Sequence, residues 1–171
     1  SCLPKDVRAL VYLGRSHDLN LPLLQSLLPS NEMQIDRAAS MIFARGKKRL
    51  AFLGMSFKPG TDDLRESPLV LLIEQCLGKG YDLRIFDESV SLARLTGANK
   101  AYIEKEIPHI SRLLSTDIEE VIAFAEVIVV GHRTKEFAAA LAAHAGDRTV
   151  IDLARVFDEL PRSPRYEGIN W

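Results

Sequence analysis

Only two cysteines, Cys2 and Cys76, occur in the 171 residues. No disulfide framework holds this chain together, and such sparing cysteine usage reads as cytoplasmic. Charge of one sign is equally scarce: 22 Lys and Arg against 23 Asp and Glu leave a formal net charge of -1. That balance offers no general field to nucleic acid or to an anionic membrane, so any phosphate must be met by a few placed cations. No apolar run approaches the ~20 residues that a membrane span needs. The histidines His17, His109, His132 and His144 are scattered without metal-ligand spacing. No Ser/His/Asp order is legible either, so neither a metal centre nor a hydrolase triad is expected. An initiator Met and a leader are missing too: the chain opens on Ser1-Cys2-Leu3-Pro4-Lys5-Asp6. This reads as a piece of a longer polypeptide or a processed mature form.

What is present is the composition of a globular protein, 47% hydrophobic and 26% charged,. Residues 1–46 read as helical: a helix capped by Asp6 and running to about Ser16, a short helix or turn over Leu21 to Leu28, and a helix over Ser30 to Ala44 closed by Gly46. These pieces carry no core of their own. From Lys47 strands alternate with helices. Arg49–Leu53, Asp82–Phe86, Glu126–Val130 and Arg148–Leu153 read as buried strands. Helices are expected from Ser67 as N-cap with Pro68 at the first position, over residues 101–106, over Asp117 to Phe124, and from Thr134 to His144. The tail from Pro161 reads as irregular. The alternation implies parallel pairing and a three-layer α/β sandwich. Ligands in such sheets sit outside the carboxyl ends of the strands, here the loops after Leu53, Phe86, Val130 and Leu153.

The loop Gly54-Met-Ser-Phe-Lys-Pro-Gly-Thr-Asp-Asp-Leu-Arg-Glu-Ser-Pro68 occupies the place of a Gly-x-Gly-x-x-Gly turn but holds only Gly54 and Gly60,. Lys58 and Arg65 bring cations there instead, suited to diphosphate oxygens; alternatively they pair with Asp62, Asp63 and Glu66 on a solvated loop. At the start of the chain, Lys5 near a helix start can favour the thiolate of Cys2, a nucleophile toward an aldehyde or acyl carbon. Asp6 can orient a water or act as a base there, or simply cap the helix. Asp87 ends the second strand, where a carboxylate meets a ribose hydroxyl or caps the next segment. His132 and Arg133 can line the crevice or serve the structure. Cys76 falls on an apolar helix face and reads as core.

Two of these motifs carry a family resemblance. Ser1-Cys-Leu-Pro-Lys-Asp6 resembles the second half of the Gly-Gly-x-Cys-[FL]-Pro-Lys-Asp loop of the UDP-glucose/GDP-mannose dehydrogenase family. Phe57-Lys-Pro-Gly-Thr-Asp-Asp-Leu-Arg-Glu-Ser-Pro68 resembles that family's Phe-Lys-x-Gly-Thr-Asp-Asp-x-Arg-x-Ser-Pro motif. The stretch Gly97-Ala-Asn-Lys-Ala-Tyr-Ile-Glu-Lys-Glu-Ile-Pro-His-Ile110 and the ending Glu167-Gly-Ile-Asn-Trp171 are similar to its GDP-mannose branch.

The resemblance implies residues 1–46 as the end of a central helical, dimer-forming segment and residues 47–171 as a C-terminal Rossmann-like domain that binds the nucleotide sugar. It implies an NAD-binding domain elsewhere in a longer, homodimeric protein. It places the nucleophile on Cys2, an aspartate assisting the water steps on Asp6, NAD contacts on Lys5 and Arg65, and a nucleotide-sugar contact on Lys58. The implied reaction is a four-electron oxidation of GDP-mannose at C6 to the uronate, serving alginate-type polysaccharide synthesis, with two NAD+ consumed. The 171 residues alone are then expected to be inactive. Two other readings stay open: the same chemistry on a UDP-sugar, and a non-catalytic nucleotide-sugar-binding or dimerisation module.

Overall fold

The computed structural model describes residues 2–47, 49–90 and 108–170. Two helices lead, α1 over Cys2–Ser16 and α2 over Pro22–Phe43, followed by β1 (Arg49–Leu53), α3 (Pro68–Gly78) and β2 (Asp82–Phe86). Then come β3 (Leu114–Ser115), α4 (Ile118–Phe124), β4 (Val127–Val130), α5 (Lys135–His144), β5 (Thr149–Asp152) and β6 (Tyr166–Gly168). The six strands form one sheet in the order β3-β2-β1-β4-β5-β6, and every pairing is parallel. The expected α/β sandwich is therefore present.

The three layers follow from the two-residue period of the strands. Leu50 and Phe52 of β1, Leu83 and Ile85 of β2, and Val127 and Val129 of β4 point to one face, where they pack with Ala38, Ala39 and Ile42 of α2 and Leu72, Ile73 and Cys76 of α3. Ala51, Leu53, Phe86, Ile128 and Val130 point to the other, against Val121 and Ile122 of α4 and Phe137 and Leu141 of α5. With both faces covered, central strands read as continuous apolar runs, as Val127-Ile-Val-Val130 does. A fully buried side chain such as Phe52 contributes about 1.5–3 kcal/mol.

Several local expectations are corrected. α1 begins four residues before Asp6, so Asp6 lies inside the helix and caps nothing. The segments expected over Leu21–Leu28 and Ser30–Ala44 are one 22-residue helix with Pro29 inside it. Proline deletes one intrahelical bond and crowds the carbonyl four residues back. Burial of Ala38, Ala39 and Ile42 against the sheet anchors the helix downstream of that defect. Two short strands were not expected. β3 pairs with β2 through Ile85–Leu114 and Phe86–Ser115, and β6 within the supposedly irregular tail pairs with β5. The helix expected over 101–106 lies outside the described residues. Thr134 caps α5 as expected, its hydroxyl accepting from the Phe137 amide at 3.1 Å.

Candidate functional site

The strand order changes direction between β1 and β4, so a crevice opens at their carboxyl ends. β1 leaves the sheet at Gly54, whose φ of +92° excludes most side chains,. A Cβ there would also lie 2.6 Å from the ring of His132. The chain then turns under Asp87, at the end of β2. Asp87 Oδ2 accepts from the Met55 amide at 2.8 Å, the Ser56 amide at 3.0 Å and the Ser56 hydroxyl at 2.9 Å. Its other oxygen accepts from the Ser89 amide at 3.1 Å. This carboxylate is buried and fully engaged, so the ribose-binding reading of Asp87 gives way to that of a loop organiser.

His132 follows β4 and is also buried. Its Nε2 lies 2.9 Å from the Ser56 carbonyl, so this nitrogen carries the proton and donates. Nδ1 lies 3.9 Å from Asp87 Oδ2. Ser67 holds the far end of the loop. It sits at the N-cap of α3 but makes no capping bond; its hydroxyl donates to the Met55 carbonyl at 2.8 Å instead. Within the loop the Phe57 amide donates to the Asp63 carbonyl at 2.8 Å. Residues 54–67 are thereby pinned at both ends and across the middle.

Beside this loop lies a cleft of about 770 Å³, a size that accepts a small-molecule ligand. Phe57, Glu66 and Leu69 line one side, Leu3, Pro4 and Arg8 of α1 another, and Gly131 and His132 the floor at the switch point. Gly131 has no room for a side chain, since a Cβ would lie 2.5 Å from Leu69 Cδ1. The two sequence motifs meet here. Arg8, two residues past Asp6, donates to the carboxylate of Glu66, next to Arg65.

The expected site residues fall as follows. Cys2 is the first residue of α1; its side chain lies outside what the structure describes. Lys5 and Asp6 are exposed and pair with each other at 3.4 Å. Lys58 is exposed beside the cleft-lining Phe57, and among the described residues it makes no ion pair. Arg65 is held in a two-pronged pair by Asp63, Nε to Oδ1 at 2.8 Å and Nη2 to Oδ2 at 3.0 Å. For Arg65 the internal pairing considered from the sequence is thus real. Lys58 and Arg65 share one loop, and α1 reaches it through Arg8. Sequence reasoning passed over Arg8 and Ser56. Their partners are 58 and 31 residues away, and no local spacing announces either.

Comparison with known proteins places this geometry. The UDP-glucose/GDP-mannose dehydrogenase family, UDP binding domain, matches residues 51–159. The chain belongs to that family. The chain is 53% identical over its whole length to GDP-mannose 6-dehydrogenase of Pseudomonas putida and 46% identical to that of Pseudomonas aeruginosa. It spans 39% of the length of each. A UDP-glucose 6-dehydrogenase of Haloferax volcanii is 39% identical over 90 residues, 51% of this chain and 21% of that protein. Among solved structures, a ternary complex of GDP-mannose dehydrogenase from Pseudomonas aeruginosa superposes with a TM-score of 0.92 at 46% identity, covering 100% of this chain and 39% of that one. The family fold seen there is the one described above. No helix among the described residues is long and apolar enough to cross a membrane.

Proposed function

We propose that this chain is the part of an NAD-dependent GDP-mannose 6-dehydrogenase that grips the nucleotide sugar and carries the nucleophile. The observation behind this reading is the identity of 46–53% with GDP-mannose 6-dehydrogenases across all of the chain, joined to a cleft where both sequence motifs meet. The NAD-binding domain belongs to the rest of a protein of which this is about two fifths. The division proposed is residues 1–46 as the end of the central helical segment and 47–171 as the sugar-nucleotide domain. Leu10, Tyr12, Leu13, Leu23 and Met33 of α1 and α2 are large apolar side chains left exposed, which supports a homodimer formed on that segment.

In this reading Lys58 meets the diphosphate of the nucleotide sugar, a charge-assisted contact worth about 1.5–3 kcal/mol. The Cys2 thiolate adds to the C6 aldehyde, forming a thiohemiacetal. Loss of hydride from that tetrahedral carbon leaves a thioester, and water, assisted by Asp6, releases the carboxylate and returns the thiol. Two molecules of NAD+ would supply the oxidising equivalents, one for the alcohol and one for the thiohemiacetal. The residues here fit NAD only at its edge. The Met55 and Ser56 amides, which would face a pyrophosphate in a dinucleotide site, are taken by Asp87. Lys5, paired with Asp6, and Arg65, paired with Asp63, would offer cationic contacts to a cofactor held mainly elsewhere. The product is GDP-mannuronate, a precursor of alginate-type polysaccharide, made in the cytoplasm.

Calorimetry on the 171 residues tests the substrate: GDP is expected to bind more tightly than UDP, and the reverse order would move the assignment to a UDP-sugar. In the intact enzyme Cys2→Ala is expected to abolish acid formation. Undiminished acid would leave a binding or dimerisation module. The 171 residues alone are expected to produce no NADH from GDP-mannose and NAD+.

A further inference from the structure

We propose that His132 is a positioning residue for the loop that carries Lys58, acting through the Ser56 carbonyl. The proposal deepens the reading of this site as a nucleotide-sugar site and rests on it. His132 crosses the switch point: it stands at the end of β4, yet its ring packs on Gly54 and its Nε2 donates to Ser56 at the end of β1. The contact continues toward Lys58, because the single hydroxyl proton of Ser56 is shared between Asp87 Oδ2 at 2.9 Å and the Lys58 carbonyl at 3.1 Å. The route from imidazole to the lysine backbone therefore passes through one residue. Phe57, between them, lines the cleft together with His132 itself.

The surroundings favour a loop-holding role over a catalytic one. The ring is 6% exposed and its donor nitrogen is bonded to the Ser56 carbonyl, so that nitrogen serves the loop. The nearest charged group is Asp87, whose oxygens are occupied by the Met55, Ser56 and Ser89 amides. Gly54 is required for the same arrangement, since any side chain there would displace the ring. A glycine at φ +92° leaves the backbone free to take other conformations,; the His132 bond selects one.

The test uses His132→Phe, His132→Gln and His132→Asn in the intact enzyme. Glutamine places an amide N–H near the position of Nε2, and asparagine places one near Nδ1. Removing one such hydrogen bond is expected to raise KM for GDP-mannose about 10-fold, with a smaller fall in kcat, in the Phe and Asn variants. The Gln variant is expected to regain most of the loss. Hydrogen exchange at the amides of residues 57–65 reads the loop without any substrate. It is expected to speed up in the Phe and Asn variants and to return toward wild type in Gln. If the parent enzyme ignores GDP-mannose, the functional reading fails, while the exchange pattern still decides the role of His132. Unchanged exchange and KM in the Phe variant, or asparagine restoring both as well as glutamine, would overturn the proposal. Should the Phe variant not fold, the contrast between Gln and Asn carries the same decision.

Discussion

Asp87 accepts hydrogen bonds from both the amide and the hydroxyl of Ser56, 31 residues earlier in the chain, through a single carboxylate oxygen. With the Met55 amide on the same atom, one buried acid ties the ends of β1 and β2 together. Asp87→Ala would leave the Met55, Ser56 and Ser89 amides without their acceptor, the first two in a water-poor place. The expected loss is about 2–4 kcal/mol, read as a lower urea midpoint. A loss under about 0.5 kcal/mol would mean that water replaces the carboxylate without penalty.

A second tie involves Arg148, just before β5. Its Nε donates to the Ala125 carbonyl at 3.0 Å, Nη1 to His144 at 3.2 Å and Nη2 to Ala123 at 3.1 Å. One guanidinium thus closes the carboxyl ends of α4 and α5 together. Lysine offers a single ammonium and cannot span three carbonyls. Arg148→Lys is therefore expected to lose nearly as much thermal stability as Arg148→Ala, about 1–3 kcal/mol. Full retention of the melting temperature in the lysine variant would contradict the clamp.

The two cysteines should separate chemically. Burial pushes the Cys76 thiol up to about 12, so at pH 8 only ~1 in 10,000 is thiolate. Iodoacetamide on the native protein is expected to label Cys2 and spare Cys76 until urea unfolds the core. Mass spectrometry of the peptides reads both. Early labelling of Cys76 would show that the α3 face opens more readily than its packing implies.

The Glu136 carboxyl is raised above its usual value, first by desolvation and then by the nearby Glu88 carboxylate. A carboxyl that is harder to ionise in the folded state costs stability above its unfolded pKa. That penalty fades as pH falls through the raised value and is absent once both states are protonated. Glu88→Gln is expected to move the Glu136 titration downward by NMR and to give a small stabilisation at pH 7 that disappears near pH 4. A titration unmoved by the substitution would remove Glu88 as a cause.

The sheet was largely readable because its central strands are buried on both faces. Val127-Ile-Val-Val130 and Arg49–Leu53 announce themselves by unbroken apolarity, and Gly54, Gly80 and Thr134 mark the ends. β3 and β6 could not be read, since two or three residues show no period and their pairing is decided by the neighbouring strand. Pro29 misled because a local breaker was overruled by burial farther along α2. Within the site, Lys58 and Arg65 were visible as cations on a strand-end loop. The partnership of His132 with Ser56 spans 76 residues and exists only once β1 and β4 lie side by side.

The outermost strands of the sheet are its shortest, two residues in β3 and three in β6. An intruding chain seeking to extend the ladder finds few open amides at either margin, which guards against edge-to-edge aggregation. Clipping the polypeptide ahead of Tyr166 would strip that guard. Val150, Ile151 and Asp152, now matched to Tyr166, Glu167 and Gly168, would become a bare strand edge, and self-association would follow.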